Sequence, residues 1–255
     1  MKKVISLALV IFPALSPFAQ GNLTGAYKIV HARYGYDTAS WSQYKNTKII
    51  KIFKDGYWIG AFFVAPNRPF DGCGGGTYKT DGNEYVETLN FYSWDKTAAG
   101  KTFSFEYTLA GNTYTQRGKI NSDKYKDYPI EEVFERIDSY ESLKNDALEG
   151  VKQLENGQWP GLETDKSKYK NLKAVKIYCY PRFAWAQYDS TTSEFLGAGG
   201  GTYQFDGNNL IENIEYITYD VPLNTAYALK IEMAGNGKFL QTDMNNSKEN
   251  WKRLQ

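Results

Sequence analysis

The chain has 255 residues, 42% of them apolar and 16% aromatic, enough to build one large or two ordinary domain cores and too much for a disordered polymer. With 30 Lys and Arg against 29 Asp and Glu the formal charge is +1, so neither a basic excess suited to nucleic acid nor an acidic solvating tail is present. The single histidine, His31, excludes a multi-histidine metal site, and 21 Tyr, 14 Phe and 23 Gly against 3 Met describe a β-rich composition.

At the N-terminus Lys2 and Lys3 precede an apolar run from Val4 to Leu15, closed by Ser16, Pro17, Phe18 and Ala19. This pattern predicts a secretory signal peptide, residues 1–19, cleaved after Ala19. The run falls short of the roughly 20 apolar residues a membrane helix needs, and no later segment is apolar for that long, so no membrane span is expected. The expected location is secreted or periplasmic. No cysteine follows the cleavage site, which disfavours a lipid anchor. Export would permit a disulfide between Cys73 and Cys179, but two cysteines make no disulfide framework, and two unpaired thiols are the plainer expectation.

Beyond the leader the chain repeats itself. Tyr44-Lys45-Asn46 recurs as Tyr169-Lys170-Asn171, and Gly74-Gly75-Gly76-Thr77-Tyr78 as Gly199-Gly200-Gly201-Thr202-Tyr203, both offset by 125. The same offset carries Gly25 onto Gly150, Lys51-Ile52 onto Lys176-Ile177, Phe70 onto Phe195 and Glu87 onto Glu212. After one deletion Ala110-Gly111-Asn112 matches Ala234-Gly235-Asn236, and Glu132 to Asp138 resembles Glu249 to Gln255. A collinear series of this length marks a tandem duplication. The expected domains are 20–138 and 147–255, joined by the polar segment 139–146. Neither cysteine has a counterpart: Cys73 matches Ala198, and Cys179 matches Lys54.

Within a copy the dominant period is two. Phe103, Phe105, Tyr107 and Leu109 alternate with Thr102, Ser104, Glu106 and Thr108, the pattern of a half-buried strand. Comparable segments fall near 24–31, 47–54, 57–64, 75–80, 84–92, 102–109, 112–119 and 131–137. Asp55-Gly56, Asp81-Gly82-Asn83 and Gly111-Asn112 between them match tight antiparallel turns. Eight short strands joined by hairpins leave a sandwich or a closed up-and-down barrel. Closure removes exposed edges, so the expected fold is all-β, two tandem eight-stranded antiparallel barrels. The glycine triplet belongs where a strand bends or passes close to another backbone.

The early glycine in Leu23-Thr24-Gly25 and Leu148-Glu149-Gly150, the Gly-Gly-Gly-Thr-Tyr strand, the Asp-Gly-Asn turn before Glu87 or Glu212 and the closing Glu-x-aromatic-x-Arg strand carry a likeness. The chain resembles, twice over, the lipocalin-like domains of secreted bacterial proteins. That resemblance implies small eight-stranded barrels and export. Such domains often carry Thr-x-His-Phe-x-Trp on the third strand; here Tyr57 and Arg182 replace the histidine, and the tryptophan is present as Trp185, with Gly60 opposite it.

Candidate ligand-binding residues follow from the strand faces. Glu87 shares a face with Tyr85, Leu89 and Phe91, and Glu212 shares one with Leu210, Ile214 and Tyr216. A buried carboxylate needs a donor such as Lys48, Lys51, an Arg, a Tyr hydroxyl or a ligand. Trp58, Phe183, Trp185, Tyr78 and Tyr203 are candidate lining residues, and Gln116 and Gln241 hold matching inward places. The first cavity is thus expected to use Trp58, Tyr78, Glu87, Phe91 and Gln116. The second is expected to use Phe183, Trp185, Tyr203, Glu212, Tyr216 and Gln241.

No Gly-x-Ser-x-Gly elbow, zinc helix or dinucleotide turn occurs, so no catalytic residue, metal or cofactor is assigned. Gly100-Lys101-Thr102 fails as a phosphate loop because Asp95 stands where its first glycine belongs. The expectation is an exported, non-catalytic protein that binds a small apolar or sugar-like molecule and no nucleic acid. The alternatives are a glycan-directed enzyme using Glu87 or Glu212 as general base, or a structural partner with solid barrels. Ligand identity and oligomeric state stay open.

Overall fold

The computed structural model describes residues 23–36, 42–43, 47–64, 70–138, 147–157, 169 and 171–254. The expected leader and the expected joint lie outside the described residues.

The fold is two closed eight-stranded antiparallel barrels in tandem. The first contains β1 (Gly25–Tyr34), β3 (Thr47–Lys54), β4 (Tyr57–Val64), β5 (Phe70–Asp81), β6 (Glu84–Tyr92), β7 (Thr102–Ala110), β8 (Thr113–Ile120) and β9 (Tyr128–Arg136). Pairing of β9 back onto β1 closes it, and the two-residue β2 (Ser42–Gln43) adds to β1. The second barrel runs in chain order through β10 (Gly150–Gly157), β11 (Leu172–Cys179), β12 (Arg182–Asp189), β13 (Phe195–Phe205), β14 (Asn209–Ile217), β15 (Ala226–Gly235), β16 (Lys238–Thr242) and β17 (Lys248–Arg253).

The turn chemistry is as expected where glycine is required. At the β3–β4 turn Asp55 has φ 48° and Gly56 φ 75°, the left-handed pair that matches strand twist in a two-residue hairpin. The glycine strand differs in extent from the predicted 75–80: β5 starts at Phe70, and its glycines lie inside the strand. A Cβ on Gly76 would stand 1.9 Å from the Thr88 carbonyl oxygen, and one on Gly201 equally close to that of Asn213. Both contacts sit at a β-bulge. Gly76 pairs with Leu89 and Gly75 with Phe91, leaving Asn90 as the extra residue of β6; Glu215 is the extra residue of β14.

The strands β3, β4, β11 and β12 are apolar on both faces, and the structure shows why. Ile50, Ile52, Ile59, Ala61 and Phe63 point out of the first barrel and pack on Val151, Ile177, Ala184, Ala186 and Ala198 of the second. Phe63 stacks on Tyr216 at 4.8 Å, and Phe91 stacks on Tyr188 at 5.0 Å. Lys54 pairs with Glu149, and Arg253 with Asp55 at 2.8 Å, both across the two barrels. Cys73 and Cys179 are free and buried in this shared core.

Candidate functional site

The first barrel is built in layers. One end is filled by aromatic rings: Phe53 touches Tyr27 at 5.8 Å, Tyr78 at 5.1 Å, Tyr85 at 6.0 Å and Tyr114 at 5.7 Å. Each of these rings adds about 1.5–3 kcal/mol of burial, so this end is a packed floor.

Above the floor lies a polar layer. Lys51 Nζ stands 3.2 Å from Glu87 Oε2 and donates to Gln116 Oε1 at 3.3 Å, while Tyr85 OH donates to Glu87 at 2.5 Å. Gln116 Nε2 donates to Glu132 Oε2 at 2.7 Å, and Tyr34 OH donates to Glu132 Oε1 at 2.5 Å. Tyr114 OH also donates to Gln116. The Lys51 ammonium sits over the Trp58 ring at 4.1 Å. Lys51, Glu87, Gln116 and Glu132 are all buried, so this chain of bonds replaces the water each has lost. Burial raises the Glu132 carboxyl above the ordinary value, and the nearby Glu87 adds to that, while Lys51 and the Tyr34 bond act against it.

The second barrel repeats this layer. Lys176 Nζ is 2.7 Å from Glu212, Tyr178 OH donates to Glu212 at 2.8 Å, and Gln241 Nε2 donates to Glu249 at 2.8 Å. Phe239 stands where the first barrel has Tyr114, so Gln241 Oε1 lacks the hydroxyl donor that Gln116 receives and is left without a partner. Trp251 Nε1 donates to Glu249 at 2.9 Å, and burial raises that carboxyl as it does Glu132.

At the far end the two interiors differ. The first barrel has a cavity of about 260 Å³ above its polar layer, reached by Trp58, Gly60, Glu87, Gln116 and Glu132 and ringed by Tyr34, Tyr92, Trp94, Tyr125 and Tyr128. An engineered cavity of about 150 Å³ admits benzene, so this one has room for a larger ring system. Trp58 Nε1 is buried without a hydrogen-bond partner on its wall. In the second barrel Trp185 replaces Gly60; its indole lies over Gly199 and stacks on Tyr219 at 5.7 Å.

Trp58, Glu87 and Gln116 therefore meet at one site, as their strand positions suggested. Phe91 and Tyr216 do not join them. The bulges at Asn90 and Glu215 reverse the in-out alternation, sending Phe91 and Tyr216 into the contact between barrels and bringing Tyr92 and Ile217 round instead. Tyr78 belongs to the aromatic floor, and Tyr203 packs at 5.1 Å on Tyr178 and 5.7 Å on Tyr180 in the second barrel. Phe183 lies against Tyr178 at 6.1 Å, beneath the Lys176 ammonium. Glu132 and Glu249 were missed as polar-layer members, although the repeat alignment places them at the same point of the closing strand. The rim residues Tyr34, Tyr92 and Trp94 carry no sequence signal, because they depend on the bulge and on ring closure. Among the described residues no cluster of His, Cys, Asp and Glu suits a metal ion.

No family model matches the sequence, and no curated protein does. Among solved structures, an uncharacterized protein of Saccharomyces cerevisiae, YLR301w, is similar in fold, with a TM-score of 0.53 over 92% of this chain and 99% of that one. The two share 7% sequence identity, so the likeness concerns architecture alone.

Proposed function

We propose that the first barrel binds a small, partly apolar molecule in its aromatic-rimmed cavity, and that the second barrel serves chiefly to support it. The observation that carries this reading is the divergence of a neighbouring pair: Trp58 with Gly60 borders a cavity where the other copy has Phe183 with the Trp185 indole. An apolar wall with a few converging polar groups is how proteins hold small ligands, and Trp58 Nε1 offers an unused donor. The apolar N-terminal run supports an exported protein, and the repeated glycine and glutamate strands support kinship with lipocalin-like domains.

The test is calorimetric titration of the full chain with 2-naphthol, a hydroxylated two-ring probe. It is paired with native mass spectrometry of the purified protein for a retained molecule. The double variant Trp58→Phe with Gly60→Trp reproduces the Phe183 and Trp185 pair of the second barrel. It is expected to fold, with an unchanged circular dichroism spectrum, and to lose at least tenfold in 2-naphthol affinity. Equal affinity in the variant, or no bound molecule by either method, would overturn the reading.

A further inference from the structure

We infer that the ligand of this cavity is an organic cation: a positively charged nitrogen on an apolar or aromatic body that also carries an oxygen acceptor. The inference rests on the binding reading above and concerns the chemical class of what binds.

The argument starts from charge. Four acidic or basic side chains line the cavity: Lys51, Glu87, Glu132 and, at its exposed rim, Asp71. Lys51 is paired with Glu87 at 3.2 Å, which neutralises both. Glu132 is held by neutral donors, the Tyr34 hydroxyl and the Gln116 amide. The lining therefore carries an excess of carboxylate over ammonium, and Lys51 is its one cation among the described residues. A carboxylate has about four acceptor positions, so Glu132 keeps capacity after those two bonds. An anionic guest would meet repulsion, and a neutral one would leave the excess uncompensated.

The walls point the same way. Tyr92 and Trp94 lie together at 4.8 Å on one side of the rim, and Tyr125 and Tyr128 at 5.0 Å on another. The Tyr125 ring already carries the Lys124 ammonium at 5.2 Å, and the rings of Tyr92, Trp94 and Tyr128 can attract a guest cation by about 0.5–2 kcal/mol each when it is desolvated, a quaternary ammonium as readily as a primary one. Lys51 already uses the Trp58 face in this manner at 4.1 Å, an internal precedent for the guest. The unpartnered Trp58 Nε1, in a residue 6% exposed, calls for an acceptor on the same molecule. Burial raises the Glu132 carboxyl, and a cation beside it would favour its ionised form.

Two probes of one shape separate charge from fit: 3-hydroxyphenyltrimethylammonium and its neutral isostere 3-tert-butylphenol, titrated into the full chain at neutral pH. The cation is expected to bind at least tenfold more tightly than the isostere. Glu132→Gln should reduce that preference to near unity. Because Glu132 is buried, Asp71→Asn at the exposed rim serves as a second variant and should lower the preference several-fold. Equal affinities for the two probes, or a preference that both variants leave intact, would overturn the inference. Binding of 2-naphthol without binding of the cation sinks this inference alone; failure of every probe sinks the binding reading with it.

Discussion

Phe70 and Phe195 occupy the same position in the two halves of the repeat, and they stack on each other with ring centroids 5.9 Å apart and planes 5° from parallel. A residue that meets its own equivalent marks a two-fold relation between the halves. The flanking stacks obey it: Phe63 on Tyr216 and Phe91 on Tyr188 exchange under the offset of 125. The chain thus carries, within itself, the self-complementary interface of a symmetric dimer.

Phe91 belongs to that interface and faces away from the cavity. Phe91→Ala should cost about 3–5 kcal/mol of stability, the usual loss for a buried ring. Chemical denaturation measures the cost, and calorimetry should show 2-naphthol affinity within twofold of wild type. A large affinity loss would return Phe91 to the ligand site.

The buried pair of Lys51 and Glu87 predicts a non-additive response. Lys51→Met leaves the Glu87 carboxylate buried without its cation and should cost about 3–5 kcal/mol. The double variant Lys51→Met with Glu87→Leu removes both charges and should recover most of that loss, as a double-mutant cycle by denaturation would show.

Glu132 and Glu249 set the pH response of stability. Burial holds both carboxyls above their ordinary 4.5 in the folded chain, against opposing help from Lys51 and Lys176. The folded state then binds protons that the unfolded chain releases, so their contribution is complete below about pH 4.5 and is lost as pH rises through the raised values. Relative to wild type, Glu132→Gln with Glu249→Gln should gain stability with increasing pH above that point. Denaturation midpoints measured across a pH series give the sign directly.

The thiols are expected to be inert in the native state. Burial pushes the Cys179 thiol up to about 12 and raises that of Cys73, and it is the thiolate that reacts. Iodoacetamide should modify neither cysteine in the folded chain and both after unfolding. An intact mass lower by two hydrogens, signifying a disulfide, would contradict the free thiols.

Strand number and hairpin order could be read from the amino-acid sequence, because each rests on local period and turn chemistry and the repeat states them twice, while closure into a barrel rather than a sandwich was expected only from the removal of exposed edges. Alternation likewise gave Trp58, Glu87 and Gln116 as candidates for the interior, and the need of a buried carboxylate for a donor left Lys48, Lys51, an Arg, a Tyr hydroxyl or a ligand, among which the structure shows Lys51 and the Tyr85 hydroxyl. What tertiary structure alone decided was parity and space. One extra residue at Asn90 exchanges Phe91 for Tyr92, and nothing local in β6 announces it, since the bulge depends on Gly76 meeting the Thr88 carbonyl across the ladder. The outer faces of β3 and β4 are covered by the second barrel, which only the packed pair of barrels shows. The cavity is bordered by Trp58 and Gly60 where the other copy has Phe183 and an indole, and its volume exists only once eight strands have closed around it.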